Sequence, residues 1–210
     1  MEKLTDIMYE RLNWNLGNPD IDLVRIYTIA DGSCFFHALL NAYYTPYIEG
    51  RVIGSDGMAQ NFDRRDFVRE LRIDLANRLD DYYDRLSRGQ LREMANQGMQ
   101  AYLLENMKKE LADPNKYVWE LYLEYVSDLF NKDIYILDSS TQDVYVLNDE
   151  EILYKDRDSI VLLYLPGHFE LIGIERGGYT VTKFDPDDRF ISTVRRRLHE
   201  LRYLKRRLKE

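Results

Sequence analysis

The chain is poor in the residues that staple a fold or bind metals. Among 210 residues there is one cysteine, Cys34, so no disulfide can form within the chain. That points to a reducing compartment, or at least to a fold that does not depend on oxidation. Histidine is almost as scarce: His37, His168 and His199 are the full set. No Cys/His cluster has metal-ligand spacing and there is no phosphate loop, so neither a metal nor an organic cofactor is expected. Long apolar runs are also missing. The longest, 160–165, falls far short of the ~20 residues a membrane-spanning helix needs. Residues 1–14 mix charges with apolar side chains and lack the apolar core of a signal peptide. These absences describe a soluble protein of the cytoplasm.

What is present is a globular balance, with 45% hydrophobic and 31% charged residues. A chain of this length suits one domain and buries roughly 70% of the surface that it exposes unfolded. The net charge of −8 disfavours nucleic acid as a partner of the whole chain. Residues 193–210 carry a net +6, which leaves −14 on the rest. Such a body suits a partner with a basic surface.

No repeat or low-complexity tract appears. After a Gly-Asn-Pro-Asp turn at 17–20, residues 24–29 read as a strand, broken by Asp31-Gly32. Residues 34–44 read as an apolar helix, with Phe35, Ala38, Leu39 and Ala42 at helical spacing. Residues 45–61 contain Pro46, Gly50, Gly54 and Gly57 and read as a long loop, either lining a substrate groove or forming a plain surface excursion. A helical block follows. Residues 64–86 put Phe67, Leu71, Leu75 and Leu79 on one stripe, 90–111 continue with Gly98 as a weak point, and Asp113-Pro114 ends the run. Residues 117–130 form another helix. The last third reads as strands at 133–137, 143–147, 159–165, 169–175 and 179–184, with Gly177-Gly178 as a tight hairpin, followed by a basic amphipathic helix. Helices in the middle and strands after them predict an α+β fold, a sheet flanked by helices.

Cys34 follows a strand and an Asp-Gly turn and opens a helix. Unpaired backbone N–H groups and the positive end of the helix dipole stabilise a thiolate there. The same turn can aim N–H groups at an oxyanion, and Gly32 leaves room for a substrate backbone. The bland alternative is a buried cysteine acting as a small hydrophobe. Asp31 either orders the loop by accepting backbone N–H bonds or caps the helix. Of the histidines, His199 lies in the basic tail. His37 shares the helix of Cys34 and reads as a packing or channel residue. His168 follows an apolar strand and the turn Pro166-Gly167 and begins the next strand, an exposed and well-supported place for a base. Glu170, two residues on, projects from the same strand face and can accept the Nδ1 hydrogen bond, leaving Nε2 for a thiol. Alternatively the pair is a hairpin-end histidine beside a solvated glutamate.

The run Asp31-Gly32-Ser33-Cys34-Phe35-Phe36-His37-Ala38 resembles the signature of the ovarian-tumour (OTU) cysteine proteases. That signature is Asp-Gly-x-Cys, two apolar or aromatic residues, Arg or His, and a small residue. Tyr117-Val118-Trp119-Glu120 through Leu129-Phe130, with Asp133-Ile134-Tyr135-Ile136, is similar to the family's Trp-containing helix and the core strand after it. Gly167-His168-Phe169-Glu170 resembles its His-aromatic-acidic ending. The three blocks stand in the family's order. The resemblance implies a papain-like OTU fold, a central mixed β-sheet flanked by helices, with 1–192 as one protease domain and 193–210 as a basic C-terminal helix. It implies cleavage after the C-terminal glycine of ubiquitin, polyubiquitin or a ubiquitin-like modifier. Cys34 would be the nucleophile and His168 its base, with Asp31 and Glu170 completing the catalytic set. Gly32, Ser33, Gly167 and Phe169 would serve the oxyanion and the substrate. Glu170 departs from the Asp or Asn usual at the third catalytic position.

Two rivals share the fold: a catalytically silent ubiquitin-binding module, and a thiol protease that cleaves a polyprotein. A domain this small and bare suits a viral protein or a bacterial effector that edits ubiquitin in a host cytoplasm. In the tail, Val194, Leu198, Leu201, Leu204 and Leu208 form one apolar stripe among basic residues. It either docks on the acidic body of its own chain or binds an anionic membrane or nucleic acid.

Overall fold

A computed structural model describes residues 9–14, 16, 20–147 and 150–207 of the chain. The elements run β1 (Tyr9–Leu12), β2 (Leu23–Ile26), α1 (Cys34–Asn41), α2 (Thr45–Glu49), β3 (Arg51–Ile53), β4 (Ala59–Asn61), α3 (Arg64–Arg78), α4 (Asp80–Tyr83), α5 (Gln90–Asn96), α6 (Leu104–Ala112), α7 (Leu123–Phe130), β5 (Asp133–Asp138), β6 (Asp143–Val144), α8 (Glu150–Leu153), β7 (Ser159–Leu165), β8 (His168–Arg176), β9 (Tyr179–Val181), β10 (Lys183–Phe184) and α9 (Arg189–Arg207). They fall into two compact units. One is Ile29–Phe130; the other joins Met1–Thr28 to Asn131–Glu210.

The second unit is built on a mixed sheet in the order β1-β2-β8-β7-β5-β6, with β9 paired to β8 and β10 to β7. β5 and β7 run parallel; the other pairs are antiparallel. The expected hairpin at Gly177-Gly178 is present: Arg176 pairs with Tyr179, and both glycines have the positive φ that a two-residue turn of this kind needs. One sheet face, with Leu23, Tyr135, Leu137, Val161, Leu163, Ile172 and Ile174, packs against Phe190, Ile191, Val194 and Leu198 of α9. The C-terminal helix thus completes the core of this unit, and it begins at Arg189 rather than at 193. Its basic residues engage sheet acids. Arg197 Nη2 lies 2.7 Å from Asp143 Oδ2, and Arg195 Nε donates to Tyr135 Oη at 2.7 Å. Docking on the chain's own body is what the structure records for 193–201, where Val194 and Leu198 are buried and Leu201 is half-buried, whereas Leu204 of the expected stripe is exposed. The turn at 17–19 and Leu208 lie outside the described residues.

In the helical unit α1 is buried along its length, from Cys34 to Leu40. Residues 45–61 are not a structureless loop. Pro46 sits in the first turn of α2, and Gly50, at φ 69°, ends it by donating to Pro46 O. Two residues read as breakers are therefore the start and stop signals of a short helix. β3 and β4 then form a hairpin, turned by Gly57 at φ 76° and by Asp56 Oδ1 accepting the Met58 N–H at 2.9 Å. The helix expected over 90–111 is interrupted, as Gly98 at φ 88° separates α5 from α6. The helix expected over 117–130 is regular only from Leu123. The buried face of α3 carries Val68, Arg72, Leu75 and Ala76, so it holds a charged residue; of the expected stripe, Leu75 and Leu79 are buried and Phe67 and Leu71 half-buried.

Candidate functional site

The residues singled out in the sequence fall into two groups, one in each unit. Asp31, Gly32, Ser33 and Cys34 belong to the helical unit; Gly167, His168, Phe169 and Glu170 belong to the sheet unit.

Around Cys34 the chain makes a tight turn. Asp31 Oδ1 accepts the Ser33 N–H at 2.8 Å, and Asp31 O accepts the Cys34 N–H at 3.2 Å. Asp31 therefore orders the loop, and it is not the helix cap. Ser33 occupies the cap position of α1, yet its side chain makes no capping bond. Its hydroxyl donates to Pro114 O at 3.1 Å and accepts from Arg72 Nη1 at 2.9 Å. No acidic residue lies in the first turn of α1 to offset the positive end of the dipole. Cys34 sits at that end as a reduced, fully buried thiol. The sequence suggested that Gly32 leaves room for a substrate backbone. In the structure the chain's own backbone takes that room: a Cβ at Gly32 would stand 2.4 Å from Asn115 C and 2.5 Å from Pro114 O.

His37 is fully buried between two partners. Its Nδ1 lies 2.7 Å from Tyr47 Oη and its Nε2 3.2 Å from Asp31 Oδ2. Burial pushes its pKa below the ordinary histidine value, with Asp31 acting in the opposite sense and Arg65 and Arg64 adding to the depression. As a neutral ring it donates from Nε2 to Asp31 and accepts the Tyr47 hydroxyl at Nδ1. Both nitrogens are committed, so His37 is a strut of the Asp31 turn.

In the sheet unit, Leu165 of β7 pairs with His168 of β8 across the turn Pro166-Gly167. Proline pre-sets the first turn position, and Gly167 supplies the positive φ, 79°, at the second. His168 is partly exposed at the start of β8. Glu170 projects beside it, as the alternation of strand side chains predicts, but it is only 3% exposed rather than solvated. Its carboxylate meets Nε2 of His168 at 3.5 Å, not the expected Nδ1. The reason lies on β2: Arg25 forks onto Glu170 through Nε and Nη2, the latter at 3.1 Å, and draws the carboxylate toward its own strand. Glu170 in turn raises the Arg25 pKa. The Phe169 ring is fully buried and packs 5.4 Å from Tyr164, while its carbonyl accepts the Thr28 hydroxyl at 2.6 Å. A substrate can therefore meet Phe169 only through its backbone.

Arg25, Tyr47 and Arg72 escaped the sequence reading. Arg72 lies off the stripe expected for this helix and shares its buried face with Val68, Leu75 and Ala76. Arg25 carries no local mark, since Glu170 lies on a strand distant in sequence, and Tyr47 meets His37 only through the packing of α2 on α1. Among the described residues, no group of three or more His, Cys, Asp or Glu is placed to hold a metal ion, and no helix is long and apolar enough to cross a membrane.

No family model matches the chain, and no curated protein matches it in sequence. Solved structures do match in fold. An OTU domain in complex with ubiquitin aligns with TM-score 0.57 and 14% identity, over 92% of this chain and 90% of that one. The OTU domain of OTUD1 aligns with TM-score 0.47 and 18% identity, over 71% and 85%. The viral OTU domain protease from Farallon virus aligns with TM-score 0.45 and 13% identity, over 81% and 98%. The chain has the OTU fold, α+β with a mixed sheet.

Proposed function

We propose that this chain is a cysteine isopeptidase that hydrolyses the bond after the C-terminal glycine of ubiquitin or a ubiquitin-like modifier. The observation that carries the reading is the setting of Cys34. The sole thiol stands at the start of α1, behind an Asp-ordered turn and with no acid in the first helical turn, in a chain with the OTU fold. An OTU domain of that fold has been solved with ubiquitin bound, which supports the choice of substrate.

In this reading His168 takes the thiol proton and the Cys34 thiolate attacks the glycine carbonyl. Backbone N–H groups of the 31–34 turn receive the oxyanion. Collapse of the tetrahedral adduct breaks the C–N bond as His168 returns the proton to the leaving lysine amine. Water, deprotonated by His168, then attacks the thioester. That step releases the carboxylate and restores the thiol. Glu170 orients His168, and Gly167 shapes the turn that carries it. The protease domain is 1–192 together with the C-terminal helix, whose Val194 and Leu198 complete the core of the sheet unit.

One observation favours the rival of a silent ubiquitin-binding module: Cys34 is 0% exposed. A single experiment separates the two. Ubiquitin bearing a C-terminal thiol-reactive group is incubated with wild type, Cys34→Ala and His168→Ala. A covalent adduct on Cys34, weakened in His168→Ala, is the expected result. Ubiquitin binding by folded wild type without an adduct would favour the silent module, and neither binding nor adduct would point to a different target such as a polyprotein junction.

A further inference from the structure

Arg72 is a fully buried arginine on α3, and among the described residues its hydrogen bonds go to carbonyls and a hydroxyl rather than to a carboxylate. Its acceptors come from three separate segments. Nε donates to Leu111 O at 2.7 Å and Nη2 to Glu110 O at 3.0 Å, at the end of α6. Nη1 faces Lys116 O at 3.0 Å, Gly32 O at 3.0 Å and Ser33 Oγ at 2.9 Å. The Phe36 ring closes one side of the guanidinium, at 5.4 Å. On the other side of the turn, Pro114 and Asn115 press against Gly32. The two residues before Cys34 are thus held between an arginine fork and a backbone wall.

We infer that Arg72 is a positioning residue for the Cys34 nucleophile, pinning the turn before it at Gly32 and Ser33 and holding a positive charge behind the thiol. The inference rests on the reading of Cys34 as the nucleophile. Two observations beyond fold stability support it. First, a buried arginine satisfied by neutral acceptors, four carbonyls and the Ser33 hydroxyl, gives up its hydration without the return of an ion pair, so an apolar residue would serve packing at least as well. Second, the guanidinium bonds the two residues before the thiol, Gly32 and Ser33, and so sets its charge beside the Cys34 turn. Burial lowers its pKa to about 10, while Asp113, Asp31, Tyr122 and Cys34 act to raise it, so it stays protonated at neutral pH. The interaction is mutual, and a charge that Cys34 stabilises also stabilises the thiolate. Arginine alone fits this position, because its planar fork reaches acceptors on three segments at once, whereas a lysine offers a single point.

The test uses the full chain and the convenience of a single cysteine. Thiolate absorbance at 240 nm is followed with pH below the range of tyrosine ionisation, with Cys34→Ala as blank, in wild type, Arg72→Lys and Arg72→Met. Circular dichroism checks folding, and cleavage of a ubiquitin C-terminal fluorogenic substrate gives kcat and KM. Arg72→Met is expected to raise the thiolate midpoint by about one pH unit and to lower kcat at least tenfold with little change in KM. Arg72→Lys, which keeps the charge and loses the fork, is expected to lower kcat while its midpoint lies between the other two. Either variant, folded and with wild-type midpoint and kcat, overturns the inference. Failure of both to fold overturns it too, since Arg72 would then be a pillar of the whole unit. If wild type does not cleave the substrate, the proposed function fails, and the thiolate midpoints still judge Arg72.

Discussion

Arg25 on β2 and Glu170 on β8 form a forked ion pair, with Nη2 to Oε1 at 3.1 Å and Nε to Oε2, inside the sheet and two residues from His168. Glu10 also reaches Arg25 Nη1, at 3.3 Å, and accepts the Tyr27 hydroxyl at 3.1 Å, so the fork is backed by a small polar network. The carboxylate nearest the proposed base is thereby held and largely neutralised. Arg25→Met leaves Glu170 buried without its partner, and a loss of roughly 3 kcal/mol in urea unfolding is expected, as for broken buried pairs. The double variant Arg25→Met/Glu170→Leu should recover most of that loss, because two apolar residues need no compensation. If the double variant is as unstable as the single, the pair is not the source of the effect.

Glu170 should matter less to turnover than a catalytic carboxylate normally does. Its 3.5 Å contact with His168 is longer than a hydrogen bond, and its charge is already spent on Arg25. Glu170→Gln is expected to lower kcat by about tenfold, against the ~10⁴-fold loss when a triad acid becomes an amide. Cys34→Ala should show no turnover. A loss near 10⁴ in Glu170→Gln would mean that the carboxylate closes on the ring during the reaction.

Stability should fall on mild acidification because of His37. Burial depresses its folded pKa, so below pH 6.5 the unfolded chain binds a proton there that the folded chain resists. The contribution is complete above pH 6.5 and is lost as pH falls through the folded pKa. Asp31 and Tyr47 face the ring directly, and Arg64 and Arg65 lie near it. Melting temperatures of wild type and His37→Gln from pH 8 to pH 4.5 should converge as pH falls. Parallel curves would exclude His37 as the source.

Gly32→Ala should disrupt the nucleophile turn through sterics, since its Cβ would fall on the backbone of Pro114 and Asn115. Overpacking of this kind costs about 1–3 kcal/mol, and cleavage should fall with it. Gly167→Ala fails for another reason, its positive φ, at about 1–2 kcal/mol. Thermal melts and turnover of the two variants check both. Gly32→Ala with wild-type values would mean the 113–116 turn gives way easily.

The C-terminal helix should be indispensable to the sheet unit. Leu198 is buried against the sheet, and Leu198→Ala is expected to cost about 2–4 kcal/mol. Tyr203→Ala, at an exposed position, should stay within about 0.5 kcal/mol. Removal of residues 193–210 takes Val194 and Leu198 from the core and should abolish cooperative unfolding in a calorimetric scan. A truncated chain that melts as wild type does would contradict the packing.

Much of this was legible from residue order alone. The strands 159–165 and 169–175, the Gly177-Gly178 hairpin and the helix opening at Cys34 were visible because hydrophobic period and turn chemistry are local properties. So was the α+β layout, and so was the setting of the thiol, since an Asp-Gly turn followed by an apolar helical run specifies a helix N-terminus by itself. Other features depended on partners far along the chain. Pro46 and Gly50 mark a loop or a short helix equally well, and the aromatic packing of Tyr44 and Tyr47 with Phe62 and Phe67 goes with the helix. Glu170 stood between orienting His168 and being solvated because nothing nearby in sequence announces Arg25, which reaches it only through the pairing of β2 with β8. Arg72 lies off the stripe expected of α3, and nothing next to it in sequence announces its burial. Its acceptors, the carbonyls of residues 32, 110, 111 and 116, are brought together by tertiary folding alone. Neighbouring residues were enough to mark where a thiolate would be stabilised, because helix ends and turns are written in adjacent positions. What holds that turn in place, and what claims the charge of Glu170, emerged only from the folded chain, because hydrogen bonds between distant segments leave no periodic trace in the order of residues.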